Sequence, residues 1–114
     1  MSKLAQLIAK EEGYGIPGAL PTRNRNPGDL RHSPHSTHTA GAPDAIGVID
    51  TPADGWADLE RQLQLYGERG LTLRECIEIY APPSENNSER YLNYVCQGLG
   101  CQPDILVTEA LKIA

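Results

Sequence analysis

Apolar residues recur at helical spacing in five places along the chain. Leu4, Leu7 and Ile8, with Glu11, fall on one side of a 3.6-residue helix that Ser2 can cap. That helix is predicted to end near Gly13, which suits a left-handed C-terminal position, so Glu12 falls in its last turn at the edge of the apolar stripe. Thr51-Pro52-Ala53-Asp54 is a strong helix start: a capping hydroxyl, a proline at the first position and an acid near the positive end of the dipole. Trp56, Leu59, Leu63 and Tyr66 carry this second helix to about Tyr66. Thr72-Leu73-Arg74-Glu75 is a capping box for a third helix, with Leu73, Cys76, Ile77 and Tyr80 on one face and Pro82-Pro83 as its stop. A fourth, from about Ser88, presents Tyr91, Leu92 and Val95 and ends near Gly100. Pro103-Asp104 opens a fifth, with Leu106, Ala110 and Leu111.

The pattern fails between residues 13 and 44, where Gly, Pro, Asn, Ser, Thr and His dominate. A loop region of this length in a small domain is usually functional or disordered. Two short extended stretches, 29–31 and 45–50, are expected to pair as a small hairpin with Ser33 to Pro43 at its tip. No internal repeat or linker divides the chain. The expectation is a single α+β domain over residues 1–114, mostly α, with five helices and a short β-hairpin.

Composition narrows the choice of function. With ten Lys+Arg against fifteen Asp+Glu among 114 residues, the net charge is −5. This argues against a protein that holds nucleic acid by neutralising phosphates. No apolar run approaches the ~20 residues of a membrane span, so stable membrane insertion is not expected. The start, Met1-Ser2-Lys3-Leu4, lacks the apolar centre of a signal peptide, and synthesis without a cleavable export signal is expected. Cys76, Cys96 and Cys101 are odd in number and lack close metal-ligand spacing; reduced thiols are expected, with Cys96 and Cys101 able to pair only if the turn at Gly98-Leu99-Gly100 brings them together.

Four features can carry chemistry. A carboxyl at the end of a helix, such as Glu12, lies near the negative pole of the dipole, and apolar neighbours would raise its pKa further. A carboxyl kept neutral in this way is what a general acid for a glycosidic oxygen requires; otherwise Glu12 is an ordinary solvated glutamate. Arg23-Asn24-Arg25-Asn26-Pro27-Gly28-Asp29-Leu30 reads first as a turn, but Asn26 and Asp29 also suit sugar hydroxyls and N-acetyl groups. The corner Tyr80-Ala81-Pro82-Pro83-Ser84-Glu85-Asn86-Asn87 presents Tyr80, Glu85 and Asn86 between two helices. His32, His35 and His38, three apart, sit in a loop with nothing to fix them as metal ligands, and exposed loop histidines are expected. Trp56 reads as core. Neither a Gly-rich phosphate loop, a G-x-S-x-G elbow nor an HExxH motif occurs, and no cofactor is implied.

Ile8-Ala9-Lys10-Glu11-Glu12-Gly13-Tyr14 is followed by Pro21-Thr22-Arg23-Asn24-Arg25-Asn26-Pro27-Gly28-Asp29-Leu30, by Ile46-Gly47-Val48 through Asp54-Gly55-Trp56-Ala57, and by Tyr80-Ala81-Pro82-Pro83-Ser84-Glu85-Asn86. In this order and spacing the segments resemble a lysozyme-like domain of phage and prophage origin, related to lytic transglycosylases, over roughly residues 4–106. The resemblance implies a catalytic glutamate ending the first long helix, opposite a small hairpin, in a cleft closed by the C-terminal helices. Glu12 matches that place best and Glu11 is the reserve; Gly13 stands where transglycosylases often carry serine. It also implies that the Tyr80 hydroxyl orients Glu12, and that Asn26, Asp29, Tyr80 and Asn86 bind substrate.

The implied substrate is the β-1,4 bond between N-acetylmuramic acid and N-acetylglucosamine in peptidoglycan strands. A retaining hydrolase needs a second carboxylate about 5 Å away and an inverting one needs it farther off; Asp29, Asp44 and Asp50 are the candidates. A lytic transglycosylase needs none, because the substrate's acetamide and 6-hydroxyl take over, and this version is preferred to the muramidase. The implied protein is a monomer acting at the cell wall or periplasm, reached by holin-assisted release, by packaging into a phage particle or by a secretion apparatus. Two other readings stand beside it: a non-catalytic virion or wall-binding module with the same fold, and a metal-binding module built on the three histidines.

Overall fold

Four helix starts are fixed by side-chain caps, one of them by Asn87, whose Oδ1 accepts the Arg90 N–H at 3.0 Å. In the computed structural model, which describes residues 1–37, 46–82 and 87–114, Ser2 Oγ accepts the Ala5 N–H and Thr51 Oγ1 accepts that of Asp54. Thr72 Oγ1 accepts the Glu75 N–H while the Glu75 carboxylate accepts that of Thr72, the reciprocal box predicted for it. Each cap satisfies an amide that the first turn leaves without a helical partner. The element order is α1 Lys3–Glu12, α2 Leu20–Arg23, β1 Ser36–Thr37, β2 Val48–Ile49, α3 Pro52–Glu68, α4 Leu73–Tyr80, α5 Ser88–Leu99 and α6 Val107–Ala110. The fold is α+β, mostly α with a short hairpin.

The core lies between the long helices. α1 packs on α5 and α3, α4 packs on α5, and α6 closes against α3 and α4. Leu4, Ile8, Leu59, Leu63, Leu73, Ile77, Leu92, Val95 and Val107 are buried there, each contributing roughly 1.5–3 kcal/mol relative to exposure. This packing brings the C-terminal ends of α1 and α4 to the N-terminal end of α5. Trp56 is half-buried against the core, edge-on to Tyr14 with ring centroids 5.3 Å apart.

Three local expectations need correction. β2 pairs antiparallel with β1, Ser36 opposite Ile49 and Thr37 opposite Val48, and not with residues 29–31. Asp29 has φ +50°, a left-handed conformation incompatible with an extended strand, so among the described residues that segment meets residues 46–50 through a single backbone bond, from the Gly47 N–H to the Leu30 carbonyl at 2.9 Å. A helical turn, α2, appears inside the stretch read as irregular; Pro21 pre-sets its first turn, but four residues are too few to show a period. The last helix begins at Val107, later than Pro103-Asp104 suggests. The backbone just before it is used otherwise: the Leu73 N–H donates to the Ile105 carbonyl at 2.8 Å and the Val107 N–H to that of Leu71 at 2.9 Å.

The loop after α2 is lashed to the hairpin and to α3. The Ile49 N–H donates to the Asn24 carbonyl (2.9 Å), and Arg25 Nε returns a bond to the Ile49 carbonyl (2.6 Å). A β-carbon at Gly55 would stand 2.2 Å from the Arg25 carbonyl oxygen, so α3 reaches this loop only with glycine there. Among the described residues, no helix is long and apolar enough to cross a membrane.

Candidate active site

Glu12 is the last residue of α1, and Gly13, at φ +97°, turns the chain away behind it. Tyr91, near the start of α5, donates its hydroxyl to Glu12 Oε2 at 2.9 Å. Burial pushes the Glu12 carboxyl up to about 7; the Tyr91 bond works against this, and the neighbouring Asp29 and Glu11 add to it. Glu11 is placed differently: its carboxylate is paired with the Arg90 guanidinium.

Two adjoining hollows, of about 480 and 400 Å³, share Glu12, Asp29 and Tyr80. The larger is walled by Leu30, Arg31, Ile46, Tyr66, Ile79 and Pro82. The smaller is more polar, with Glu11, Asn87, Arg90 and Tyr91. Glu12 thus stands where the two meet.

Asp29 is brought to this junction by its left-handed backbone. Burial raises its carboxyl, Arg31 partly offsetting the effect, and Oδ1 is buried without a hydrogen-bond partner. Tyr80, the last residue of α4, packs edge-on to Tyr66 with centroids 6.4 Å apart. Burial drives its phenol well above the ordinary range, and its hydroxyl too is buried without a partner. Tyr80 therefore lines the groove, but the hydroxyl that holds Glu12 belongs to Tyr91.

Asn26 does not face the groove. It is fully buried: Nδ2 donates to the carbonyls of Leu30 (2.8 Å) and Gly47 (2.9 Å), and Oδ1 accepts the Leu30 N–H (3.0 Å). Both amide donors are spent on backbone, so the residue fixes the loop to the hairpin and substrate binding is not open to it. Asp50 is exposed beyond β2. Asn86, with Pro83, Ser84 and Glu85, lies outside the described residues, as do His38 and Asp44.

Sequence reasoning missed two residues. Tyr91 reads as one more member of an apolar stripe, yet the chain has five tyrosines and no phenylalanine, and each buried tyrosine brings a hydroxyl that needs a partner. Asp58 is buried on α3 and grips His35 twice, through the backbone N–H (2.9 Å) and through Nδ1 (2.6 Å). His35 is half-exposed, but it is a clamp between the hairpin segment and α3. Among the described residues, no three His, Cys, Asp or Glu side chains are grouped to hold a metal.

All three cysteines are free, and Cys76 and Cys96 are buried. Burial pushes the Cys76 thiol up to about 12 and that of Cys96 up to about 11, which leaves neither as a ready nucleophile. The turn at residues 98–100 does bring Cys101 back to Cys96, its N–H donating to the Cys96 carbonyl at 3.1 Å. Comparison of the chain with protein-family models, with curated proteins and with solved structures finds no match in any of the three.

Proposed function

We propose that the protein is a peptidoglycan-cleaving glycosidase of lytic transglycosylase type, with Glu12 as its proton donor. One observation carries this reading: a carboxyl shielded enough to keep its proton to about pH 7, at the meeting point of two hollows in an open groove. A general acid works best with a pKa near the operating pH. The resemblance of the surrounding segments to lysozyme-like domains supports the choice of substrate.

The steps balance with one protein acid. Glu12 gives its proton to the glycosidic oxygen as the C1–O bond breaks, and the oxocarbenium-like centre is taken up by the acetamide oxygen of the same sugar. The 6-hydroxyl then forms the new C1–O bond as the C1 bond to the acetamide oxygen breaks, restoring the acetamide, and returns a proton to the Glu12 carboxylate, leaving a 1,6-anhydro end. Tyr91 steadies Glu12, since its hydroxyl donates to one carboxyl oxygen.

A second reading, hydrolysis, is favoured by one feature: Asp29 supplies another carboxyl in the same groove. Incubation with purified peptidoglycan and analysis of the released muropeptides tests both. The expected result is soluble anhydro-muropeptides, lost in Glu12→Gln. Reducing-end muropeptides select hydrolysis. Unchanged cleavage by Glu12→Gln, or no cleavage at all, overturns the proposal and leaves a wall-binding or virion module.

A further inference from the structure

α5 ends on Gly100, at φ +72° and ψ +38°, and this left-handed residue folds the chain back over the last turn of the helix. Two backbone bonds hold the turn. The Gly100 N–H donates to the Cys96 carbonyl at 2.8 Å, and the Cys101 N–H donates to the same oxygen at 3.1 Å. A helix end closed in this way places the residue after the glycine against the one five positions before it, where an apolar contact commonly sits. In this chain both positions are cysteine.

The pair meets the requirements of a bridge. One hydrogen bond of that length keeps the two α-carbons within about 7 Å, the outer reach of a disulfide. The side chains are close enough to act on each other: burial is the main cause of the high Cys96 thiol and Cys101 the next, while burial raises Cys101 and Cys96 partly offsets it. Cys96 is buried and Cys101 only half-buried, so a reagent reaches Cys101 first. Cys76, on α4, is fully buried in the core, which keeps it from the same reagent.

We propose that Cys96 and Cys101 are a site of oxidative modification, closing an intramolecular disulfide when the chain meets an oxidising compartment. The oxidant is a thiol-exchanging disulfide. The Cys101 thiolate attacks one of its sulfurs, forming a mixed disulfide and releasing the first thiol. The Cys96 thiolate then attacks the Cys101 sulfur and releases the second. The two protein thiols give up two electrons and two protons, and the oxidant takes them up as its two thiols. The second step is intramolecular, so a thiol too protonated to attack a dilute reagent still closes the bridge.

The bridge joins the end of α5 to the segment 101–106. That segment is itself bonded to the start of α4, through the Arg74 N–H to the Pro103 carbonyl at 3.0 Å and the Leu73 N–H to the Ile105 carbonyl at 2.8 Å. It therefore fastens α4 and α5 at the ends remote from Tyr80 and Tyr91, and it stands independently of what the groove does.

Oxidised glutathione is the probe. The full chain, purified reduced, is held in a glutathione buffer rich in the oxidised form, then unfolded, alkylated and weighed. The expected product is a monomer about 2 Da lighter before alkylation. It should be alkylated at Cys76 alone, and digestion should yield a peptide linking Cys96 to Cys101. The melting temperature should rise by roughly 5 °C over that of the reduced chain, because the bridge restrains the unfolded state. Cys101→Ser, outside the helix, should melt with the reduced parent and show no rise with the oxidant. Three alkylated cysteines, a glutathione adduct that persists on Cys101, a bridge that includes Cys76 or joins two chains, or a bridge that leaves the melting temperature unchanged or lowers it overturns the proposal.

Discussion

Glu12 and Asp58 are two shielded carboxyls on helices that pack together, and they are driven in opposite directions. Around Glu12 burial dominates, its one hydrogen bond comes from a neutral phenol, and its charged neighbours Asp29 and Glu11 are acidic. Asp58 is the more deeply buried side chain, yet its carboxyl is held below the usual carboxylate range. Burial works to raise it; the nearby Ser33 hydroxyl, the hydrogen bonds from the backbone and ring of His35, and the imidazolium charge overcome that. The difference teaches that burial raises both acids and that the partners at hand decide whether it prevails. One region stores a proton at the groove. The other spends an ionised carboxylate on tying the hairpin segment to α3.

The sharpest break of that comparison comes from removing each acid's function in turn. Glu12→Gln is expected to lower the rate of muropeptide release by about 10²–10⁴-fold, the usual contribution of general acid catalysis, without loss of the fold. Asp58→Ala is expected to do the opposite, lowering stability by removing the carboxylate that holds the His35 backbone N–H and ring to α3. Urea unfolding at pH 6 measures it. Asp58→Asn, which still accepts from the N–H but carries no charge, should lose less. An Asp58→Ala chain as stable as the parent would show that the clamp contributes nothing.

How far the sequence foretold this arrangement depends on the range of the interactions involved. Ser2, Thr51 and Thr72 were readable as caps because a cap bonds to an amide three residues on. Glu12 was readable for the same reason, since Gly13 marks the end of its helix. Asn26 looked like a groove residue because its short-range neighbours form a turn; only the carbonyl of Gly47, 21 residues away, shows where its amide goes. Asp58 meets His35 across 23 residues, and Tyr91 meets Glu12 across 79. No local pattern encodes such pairs. The hairpin partner was misplaced because strands of two residues carry no alternation to read.

The pH dependence of stability separates the two acids by sign. The Glu12 carboxyl is raised from an ordinary 4.5 to about 7, so the folded chain holds this proton more tightly and the benefit is lost as pH rises from about 4.5 through 7. His35 is raised above its ordinary 6.5, chiefly by the Asp58 bond, and its contribution is complete below 6.5 and lost as pH rises through the higher folded value. The Asp58 contribution runs the other way: it is present above 3.8 and lost as pH falls through the lowered value. The parent should therefore weaken between pH 5 and 8. Glu12→Gln should weaken less over that interval, and adding Asp58→Asn should flatten the remainder. Parallel pH profiles for the parent and Glu12→Gln would mean that Glu12 titrates as an ordinary surface acid.

The smallest effect tests the contact that most nearly cancels the difference between the two regions. Tyr91 donates the one hydrogen bond that pulls the Glu12 carboxyl down. Tyr91→Phe keeps the ring, which is buried among the core helices, and removes only that bond. A neutral hydrogen bond is worth about 0.5–1.5 kcal/mol, and one pKa unit corresponds to about 1.4 kcal/mol. The alkaline limb of the rate against pH should therefore move to higher pH by less than about one unit, with the fold intact. Because the phenol also orients the acid, the maximal rate should fall modestly, and the limb and the maximum should move in opposite directions. A limb that stays in place, with the maximum reduced, would mean that Tyr91 acts through packing and that burial alone keeps the Glu12 proton.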